Sequence, residues 1–280
     1  MKGATLWRWA AAPAALVIAA LGLVGCAGSG AAGTFTPRTP GTLTVATAQV
    51  PDPGFWLGSA ERPSGGLEYE LARALAARFG LAKTKVIVVP FRRLVAGDLG
   101  GADLAISDIT VTSERAEHVS FSTPYLTAPP SILVRPGTHV ADVHSAQSLR
   151  WAVQGGTTLQ SALEETIEPS SAPLVVEHER EALQALRAGR VNAVMLDLPV
   201  ALAYARESPR TYAVAAQLPS EDVLAAALPK GSKNVEAVNS AMRAFSAAMD
   251  SRIFATICCS TTGLMRSTSG CRRASWRRIR

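Results

Sequence analysis

Two hydrophobic patterns alternate along the chain between Thr42 and Met249. Short runs of β-branched residues, such as KVIVV at 85–89, are typical of buried strands. Between such runs lie amphipathic segments. In residues 67–80, for example, a leucine or phenylalanine returns at every fourth position, which predicts a helix. Strands that alternate with helices predict an α/β protein whose sheets are dominated by parallel strands.

The alternation occurs in two blocks separated near Pro136, and this predicts two lobes joined by a hinge. We expect a first lobe of residues 42–134 plus 226–250 and a second lobe of residues 135–225. Polar residues follow predicted strands at 108–115, at 155–158 and at Asp197. Because ligands of open α/β sheets bind outside the carboxyl ends of the strands, these positions predict a cleft between the lobes.

Arg115 lies in the first turn of a predicted helix, where a cation opposes the helix dipole at a cost of about a few tenths of a kcal/mol. The hydroxyls of Ser107 and Thr110 precede it closely in the sequence. Two interpretations are open from these residues. Arg115 is either a solvated surface side chain or a side chain that holds an anion beside free N–H groups.

Charge is distributed unevenly along the chain. The formal net charge is +6, but it falls to −3 for residues 26–250 when Lys2, Arg8 and the seven arginines after residue 250 are left out. The body therefore has no basic face for nucleic acid, and we expect no nucleic-acid partner.

Cysteine and histidine provide no metal or disulfide pattern in the body. No cysteine lies between residues 27 and 257, and the four histidines have no metal-ligand spacing. We therefore expect no metal and no cofactor.

Residues 1–25 are predicted to form an export signal. Lys2 and Arg8 precede an apolar run that is shorter than the roughly 20 residues needed to span a bilayer. Small residues before Cys26 resemble the lipobox of bacterial lipoproteins, which implies cleavage before Cys26 and a lipid anchor on it. An ordinary secretory signal is the alternative. Residues 26–41, rich in Gly, Ala, Pro and Thr, are predicted to be a flexible tether.

Phe55 and Trp56 lie in a long loop rich in Pro and Gly. Two adjacent aromatic residues are unusual in a loop, because loops usually expose little apolar surface. They either cap a pocket or pack into the core, and the sequence favours neither interpretation.

Four segments, in this order, resemble the extracytoplasmic solute-binding proteins of ABC importers, polar-amino-acid type. They read GGLEYELARALAARFGL, DLAISDITVTSERAEHVSFSTPYL, WAVQGGTTL and LRAGRVNAVMLDLPVAL. The resemblance covers about Thr42 to Met249 and implies a periplasmic-binding-protein fold of type II.

The resemblance also implies residue roles. Arg115 would grip the ligand carboxylate, Thr110 and Thr158 would support it, and Asp197 would hold the ammonium group. Phe91 and either Phe55 or Trp56 would stack on the apolar part of the ligand. The residues expected to bind ligand are Phe55, Trp56, Phe91, Ser107, Asp108, Thr110, Arg115, Thr157, Thr158 and Asp197.

Two features depart from the family pattern. Asp108 stands where the family often has Gly or Ser, and our hypothesis is that it favours a ligand with an extra positive group. The tail, residues 251–280, contains seven arginines, three cysteines and no acidic residue. We interpret it as the product of a reading-frame change near Met249, with a basic tail that touches anionic lipid as the alternative.

The resemblance implies a function outside the cytoplasm. We expect a monomeric, lipid-anchored binding protein that captures a small zwitterionic solute, expected to be an amino acid, and delivers it to the permease subunits of an ABC importer. Two alternatives are a periplasmic enzyme of the same fold, similar to the dehydratases, and a sensory or scaffold lipoprotein.

Overall fold

A computed structural model describes residues 34–249, with side chains through residue 245. The predicted signal segment, the lipidation site Cys26 and the tail 251–280 lie outside the described residues. None of the helices in the described range combines the length and the hydrophobicity that a membrane crossing requires.

Helices in the described range follow the amphipathic segments of the sequence. The helix predicted over 67–80 spans Leu67–Arg78, with acidic residues in its first turn and Arg78 in its last. The helices are α1 (Leu67–Arg78), α2 (Phe91–Val95), α3 (Ser113–His118), α4 (Val143–Gln147), α5 (Thr158–Ala162), α6 (Glu179–Arg187), α7 (Leu198–Glu207) and α8 (Val235–Met249), and a π-helical turn (Leu163–Ile167) extends α5.

Strands occupy most of the predicted β-branched runs. They are β1 (Thr42–Thr47), β2 (Leu57–Gly58), β3 (Pro63–Gly65), β4 (Lys83–Val88), β5 (Leu104–Ala105), β6 (Val119–Phe121), β7 (Leu126–Thr127), β8 (Pro130–Val134), β9 (Trp151–Gln154), β10 (Leu174–Val176), β11 (Ala193–Asp197), β12 (Ala213–Gln217), β13 (Val223–Leu224) and β14 (Ala227–Pro229).

Two five-stranded sheets form the cores of two lobes. The first lobe has the strand order β4-β1-β5-β14-β6, and the second has β10-β9-β11-β8-β12. In each sheet, four strands run in one direction and one runs opposite to them, so two pairings are parallel and two are antiparallel. The sheets are therefore mixed, but four of the five strands in each share one direction, in agreement with the predicted parallel dominance. Strands β8 and β14 each follow a crossing from the other lobe, and each runs opposite to its parallel neighbours.

The chain crosses between the lobes at two short strands. Strands β7 and β13 pair antiparallel, with Leu126 opposite Leu224. Pro130–Val134 then pairs with Ala193–Asp197 in the second sheet, so this strand belongs to the second lobe. The expected boundary between residues 134 and 135 had placed it in the first lobe. Hydrophobicity predicts the strand but not its pairing partner, which lies far along the chain.

The described part of the predicted tether packs on the first lobe. The ring of Phe35 stacks on that of Phe79, with the ring centroids 4.1 Å apart. The backbone N–H of Thr36 donates to the side chain of Asn234 at 2.9 Å, and that of Arg38 donates to Asp103 at 2.6 Å. Residues 35–38 are thus packed on the body, although the tether was predicted to extend to residue 41.

Candidate functional site

A crevice between the lobes collects side chains from the strand ends of both sheets. In this arrangement its cavity volume is only about 40 Å³. Eight of the ten residues expected to bind ligand line it, namely Phe91, Ser107, Asp108, Thr110, Arg115, Thr157, Thr158 and Asp197. Phe55 and Trp56 do not.

Arg115 is buried in this crevice and is not a solvated surface residue, since only 7% of it is exposed. Its backbone N–H donates to the hydroxyl of Thr112, which caps α3. Its Nη1 donates to the carbonyl of Thr110 at 2.9 Å, and its guanidinium lies 5.2 Å from the ring centroid of Phe91. Within the described residues, no carboxylate lies within 4.0 Å of this guanidinium. A buried cation with spare donors can bind an anion.

Hydroxyl groups line the same crevice as the guanidinium. The hydroxyl of Ser107 accepts from the backbone N–H of Ala48 at 2.7 Å. Thr157 caps α5 by accepting from the N–H of Gln160 and donates its own hydroxyl to the carbonyl of Gln154. These bonds hold the loops at the two strand ends in place, with their polar groups lining the crevice.

The two lobes touch across the crevice. The hydroxyl of Thr158 donates to that of Thr110 at 3.3 Å, and Nη2 of Arg115 donates to the carbonyl of Gly156 at 3.4 Å. The guanidinium of Arg92 lies across Gly155 and Gly156, where a Cβ on Gly155 would stand 2.3 Å from Nη2 of Arg92. The Gly-Gly pair therefore allows a close approach of the lobes, and the structure represents a closed arrangement.

Asp108 and Asp197 face each other from opposite lobes. Asp108 has φ 51°, a left-handed conformation that Asp tolerates better than most residues, and it follows β5. Asp197 ends β11 and is 5% exposed. Burial raises the pKa of both groups, and the charge of Asp197 raises the pKa of Asp108 further. Oδ1 of Asp108 is buried and has no hydrogen-bond partner among the described residues. A ligand cation between them would allow both to ionise.

Glu68 contacts the backbone of Asp108 from inside the first lobe. It is fully buried, and it accepts hydrogen bonds from the backbone N–H of Asp108, the indole of Trp56 and the hydroxyl of Tyr125. Burial raises the pKa of Glu68 to about 7, although these three donors act in the opposite direction. The bond to Asp108 helps to hold its backbone in the left-handed conformation.

Phe55 and Trp56 belong to the core, which corrects their assignment to the binding site. They are 2% and 0% exposed, and Trp56 Nε1 donates to Glu68 at 2.6 Å and to the carbonyl of Ile106 at 3.3 Å. A buried indole needs an acceptor, and Glu68 supplies one. The second of the two interpretations left open by the sequence is therefore correct.

The sequence interpretation missed two carboxylates that line the same crevice. Asp52 lies in the loop after β1, and Glu179 is the first residue of α6. Gln49 and His178 line the crevice beside them. The only signal in the sequence was position, since both acids follow a strand, but single acidic residues after strands are common and do not indicate a site.

The ligand-free protein should lose stability as the pH rises from 5 to 7.5. Burial raises the pKa of Glu68 and Glu179 to about 7 in the folded state, whereas an unfolded Glu titrates near about 4.3. Between these values the folded state binds more protons, so raising the pH favours unfolding by on the order of a few kcal/mol. Urea unfolding at several pH values measures this loss, and Glu179→Gln should make the slope shallower. Stability that stays constant or rises over this range would contradict the pKa directions.

Comparison with known proteins places the chain among solute-binding proteins. The sequence pattern of the bacterial extracellular solute-binding proteins, family 3, matches residues 43–251. The L-cystine-binding protein TcyJ of Escherichia coli K12 is 27% identical over 206 residues, which cover 72% of this chain and 76% of TcyJ.

Solved structures give the same result for the fold. An amino-acid ABC transporter substrate-binding protein of Streptococcus pneumoniae, bound to L-arginine, has a TM-score of 0.66 and 30% identity, covering 74% of this chain and 89% of its own. An ancestral arginine-binding protein, bound to glutamine, has a TM-score of 0.69 and 27% identity, covering 78% of this chain and 98% of its own. These similarities confirm the predicted two-lobed α/β fold class.

Proposed function

The chain belongs to the bacterial extracellular solute-binding proteins, family 3, and from this premise we propose that it captures an amino acid between its lobes and delivers it to an ABC permease. The observation that carries the proposal is the buried crevice in which Arg115 on one lobe faces Asp197 on the other. A zwitterion supplies the opposite charge to each.

The α-carboxylate of the ligand would bind to Arg115. The guanidinium has a planar fork of donors that matches a carboxylate, and Phe91 packs against its face. Thr110 and Thr158 bring one hydroxyl from each lobe to the same place. Because these groups are buried, their bonds to an anion are stronger than they would be in water.

The α-ammonium group would bind between Asp108 and Asp197. Burial raises the pKa of both carboxyls, and an ammonium group bound between them would allow both to ionise. This role for Asp108 differs from its predicted role in selecting an extra positive group on the ligand. Asp108 faces Asp197, and the two carboxyls would bind the α-ammonium together.

Ligand binding would be coupled to closure, because each end of the zwitterion contacts both lobes. The two lobes must approach each other before all hydrogen bonds to the ligand can form. The first lobe contributes Thr110 and Asp108, and the second contributes Thr158 and Asp197. A permease can then distinguish the loaded protein from the empty one by its shape.

The family supports a place outside the cytoplasm. We propose further that Cys26 carries the lipid anchor and that the protein acts as a monomer on the membrane surface. Digestion of the mature N-terminus followed by mass spectrometry would test the anchor, since lipidated Cys26 should be its first residue. The relatives are solute-binding proteins, so we favour binding over the dehydratase alternative.

A thermal-shift screen of the full-length chain against the common amino acids tests the proposed function. At least one amino acid should raise the melting temperature by about 5–10 °C at about 100 times its Kd. Its α-amide and its N-acetyl derivative should have little effect, because each loses one of the two charges. Mass spectrometry should recover the ligand unchanged. A chain that responds to no amino acid, or that converts the ligand, would contradict the proposal.

A further inference from the structure

We propose that Asp52 and Glu179 form a second cation site in the crevice, so that the solute is an amino acid with a positively charged side chain. This inference rests on the proposed function and specifies its substrate class. It concerns a pair of residues separate from Arg115, Asp108 and Asp197, which the α-carboxylate and α-ammonium groups would occupy.

Asp52 is held rigidly at the crevice wall. Its backbone N–H donates to the carbonyl of Trp56 at 2.6 Å, and its own carbonyl accepts from the N–H groups of Phe55 and Trp56. The residue is 6% exposed, yet its Oδ1 has no hydrogen-bond partner among the described residues. A buried carboxylate oxygen is costly to leave unpaired, and this one lines the crevice.

Glu179 reaches the same crevice from the second lobe. It is half-buried at the first position of α6, where the helix dipole favours a negative charge. Its Oε1 also has no hydrogen-bond partner in the described part of the chain. Gln49 lines the crevice beside the two acids, and its side chain lowers the pKa of each, in the direction opposite to burial.

No positive charge of the described residues balances this pair. The charged groups that act on Asp52 are Glu179, Glu68 and Glu207, all of them acidic. After burial, the charge of Glu179 is the largest cause that raises the pKa of Asp52. The described residues hold no cluster of three or more metal-ligating side chains, so a metal ion is a poor candidate for the missing charge. An ammonium or guanidinium group with several N–H donors matches two carboxylates that each have a free oxygen.

The pair would bind a part of the ligand other than its two α-groups. Arg115 and the Asp108–Asp197 pair would take the α-carboxylate and the α-ammonium, so a group bound between Asp52 and Glu179 belongs to the side chain. Since Asp52 lies on the first lobe and Glu179 on the second, a cation between them would also favour the closed arrangement.

Isothermal titration of the full-length chain with arginine, lysine, citrulline and glutamine tests this inference. Citrulline is the key comparison, because it has nearly the shape of arginine without its charge. The wild-type chain should bind arginine or lysine more tightly than citrulline and glutamine by about ten- to a hundredfold. Asp52→Asn and Glu179→Gln should each reduce this preference about tenfold while changing the affinity for citrulline little.

Glu165→Gln is the matched control. Glu165 is exposed on the second lobe, so this variant removes one charge without touching the crevice and should keep the wild-type preference. If citrulline or glutamine binds as tightly as arginine and lysine, the inference fails and the proposed function stands. If both variants keep the preference, the assignment of these residues fails. If none of the four amino acids binds but another zwitterion does, the solute is not basic. If no amino acid binds at all, the proposed function itself fails.

Discussion

Arg115→Ala should weaken amino-acid binding by at least about 30-fold while leaving the protein folded. The guanidinium is the crevice cation that would pair with the ligand carboxylate, and its removal would leave that carboxylate buried without a partner. Removing one member of a buried charge pair costs about 2–5 kcal/mol, which corresponds to a loss in affinity of about 30- to 5,000-fold. Isothermal titration with the amino acid that gives the largest thermal shift measures the effect.

Two further variants separate charge from geometry. Arg115→Lys keeps the charge but loses the planar fork, so it should bind with intermediate affinity. Arg93→Ala removes an exposed arginine that pairs with Asp98 at the surface, and it should bind like the wild-type chain. If Arg115→Ala retained affinity within about threefold of the wild type, the carboxylate would bind elsewhere and the proposed orientation of the ligand would be wrong.

Gly66→Ala should destabilise the first lobe strongly. Gly66 precedes α1 with φ 103° and ψ 158°, a conformation that is essentially restricted to glycine. A Cβ at this position would lie 2.1 Å from the carbonyl oxygen of Phe55. Backbone strain and this backbone clash together predict a loss of about 2–4 kcal/mol in the free energy of unfolding. Urea unfolding followed by circular dichroism measures this loss.

The adjacent glycine provides the control for Gly66. A Cβ on Gly65 would make an ordinary contact of 3.5 Å with Leu57, and Gly65 does not have a positive φ. Gly65→Ala should therefore change stability by less than about 0.5 kcal/mol. Equal effects at the two positions would show that general loop flexibility, and not the conformation of Gly66, determines stability here. The position matters for the site because α1, which starts after Gly66, presents Glu68 to the backbone of Asp108.

Part of the candidate site could be predicted from local sequence. Arg115, Thr158 and Asp197 each lie where a predicted strand ends, and parallel strands bring their carboxyl ends to one edge of a sheet. The structure places all three in one crevice. Asp52 and Glu179 obey the same rule, but no local pattern distinguishes them from solvated acids. Their significance depends on the absence of a neighbouring cation in the described fold, which is a property of the surroundings.

Three other expectations failed because they depended on distant contacts. Phe55 and Trp56 are core residues because Glu68 and Ile106 provide acceptors for the indole. Phe35 packs on the body because its ring stacks on that of Phe79, which follows the last residue of α1. Pro130–Val134 joins the second sheet because its backbone pairs with Ala193–Asp197. Composition and periodicity describe a segment, but they do not identify which segment it meets.

The sequence by itself determined the alternation of strands and helices, the two lobes and the positions of the polar strand ends, because these follow from the periodicity of hydrophobic residues along a local stretch of chain. Only the tertiary structure decided which polar side chains face the crevice, which acids lack a partner and which aromatic residues are buried. Those properties depend on neighbouring residues from both lobes. Tertiary packing brings these neighbours together, although they are distant in the sequence.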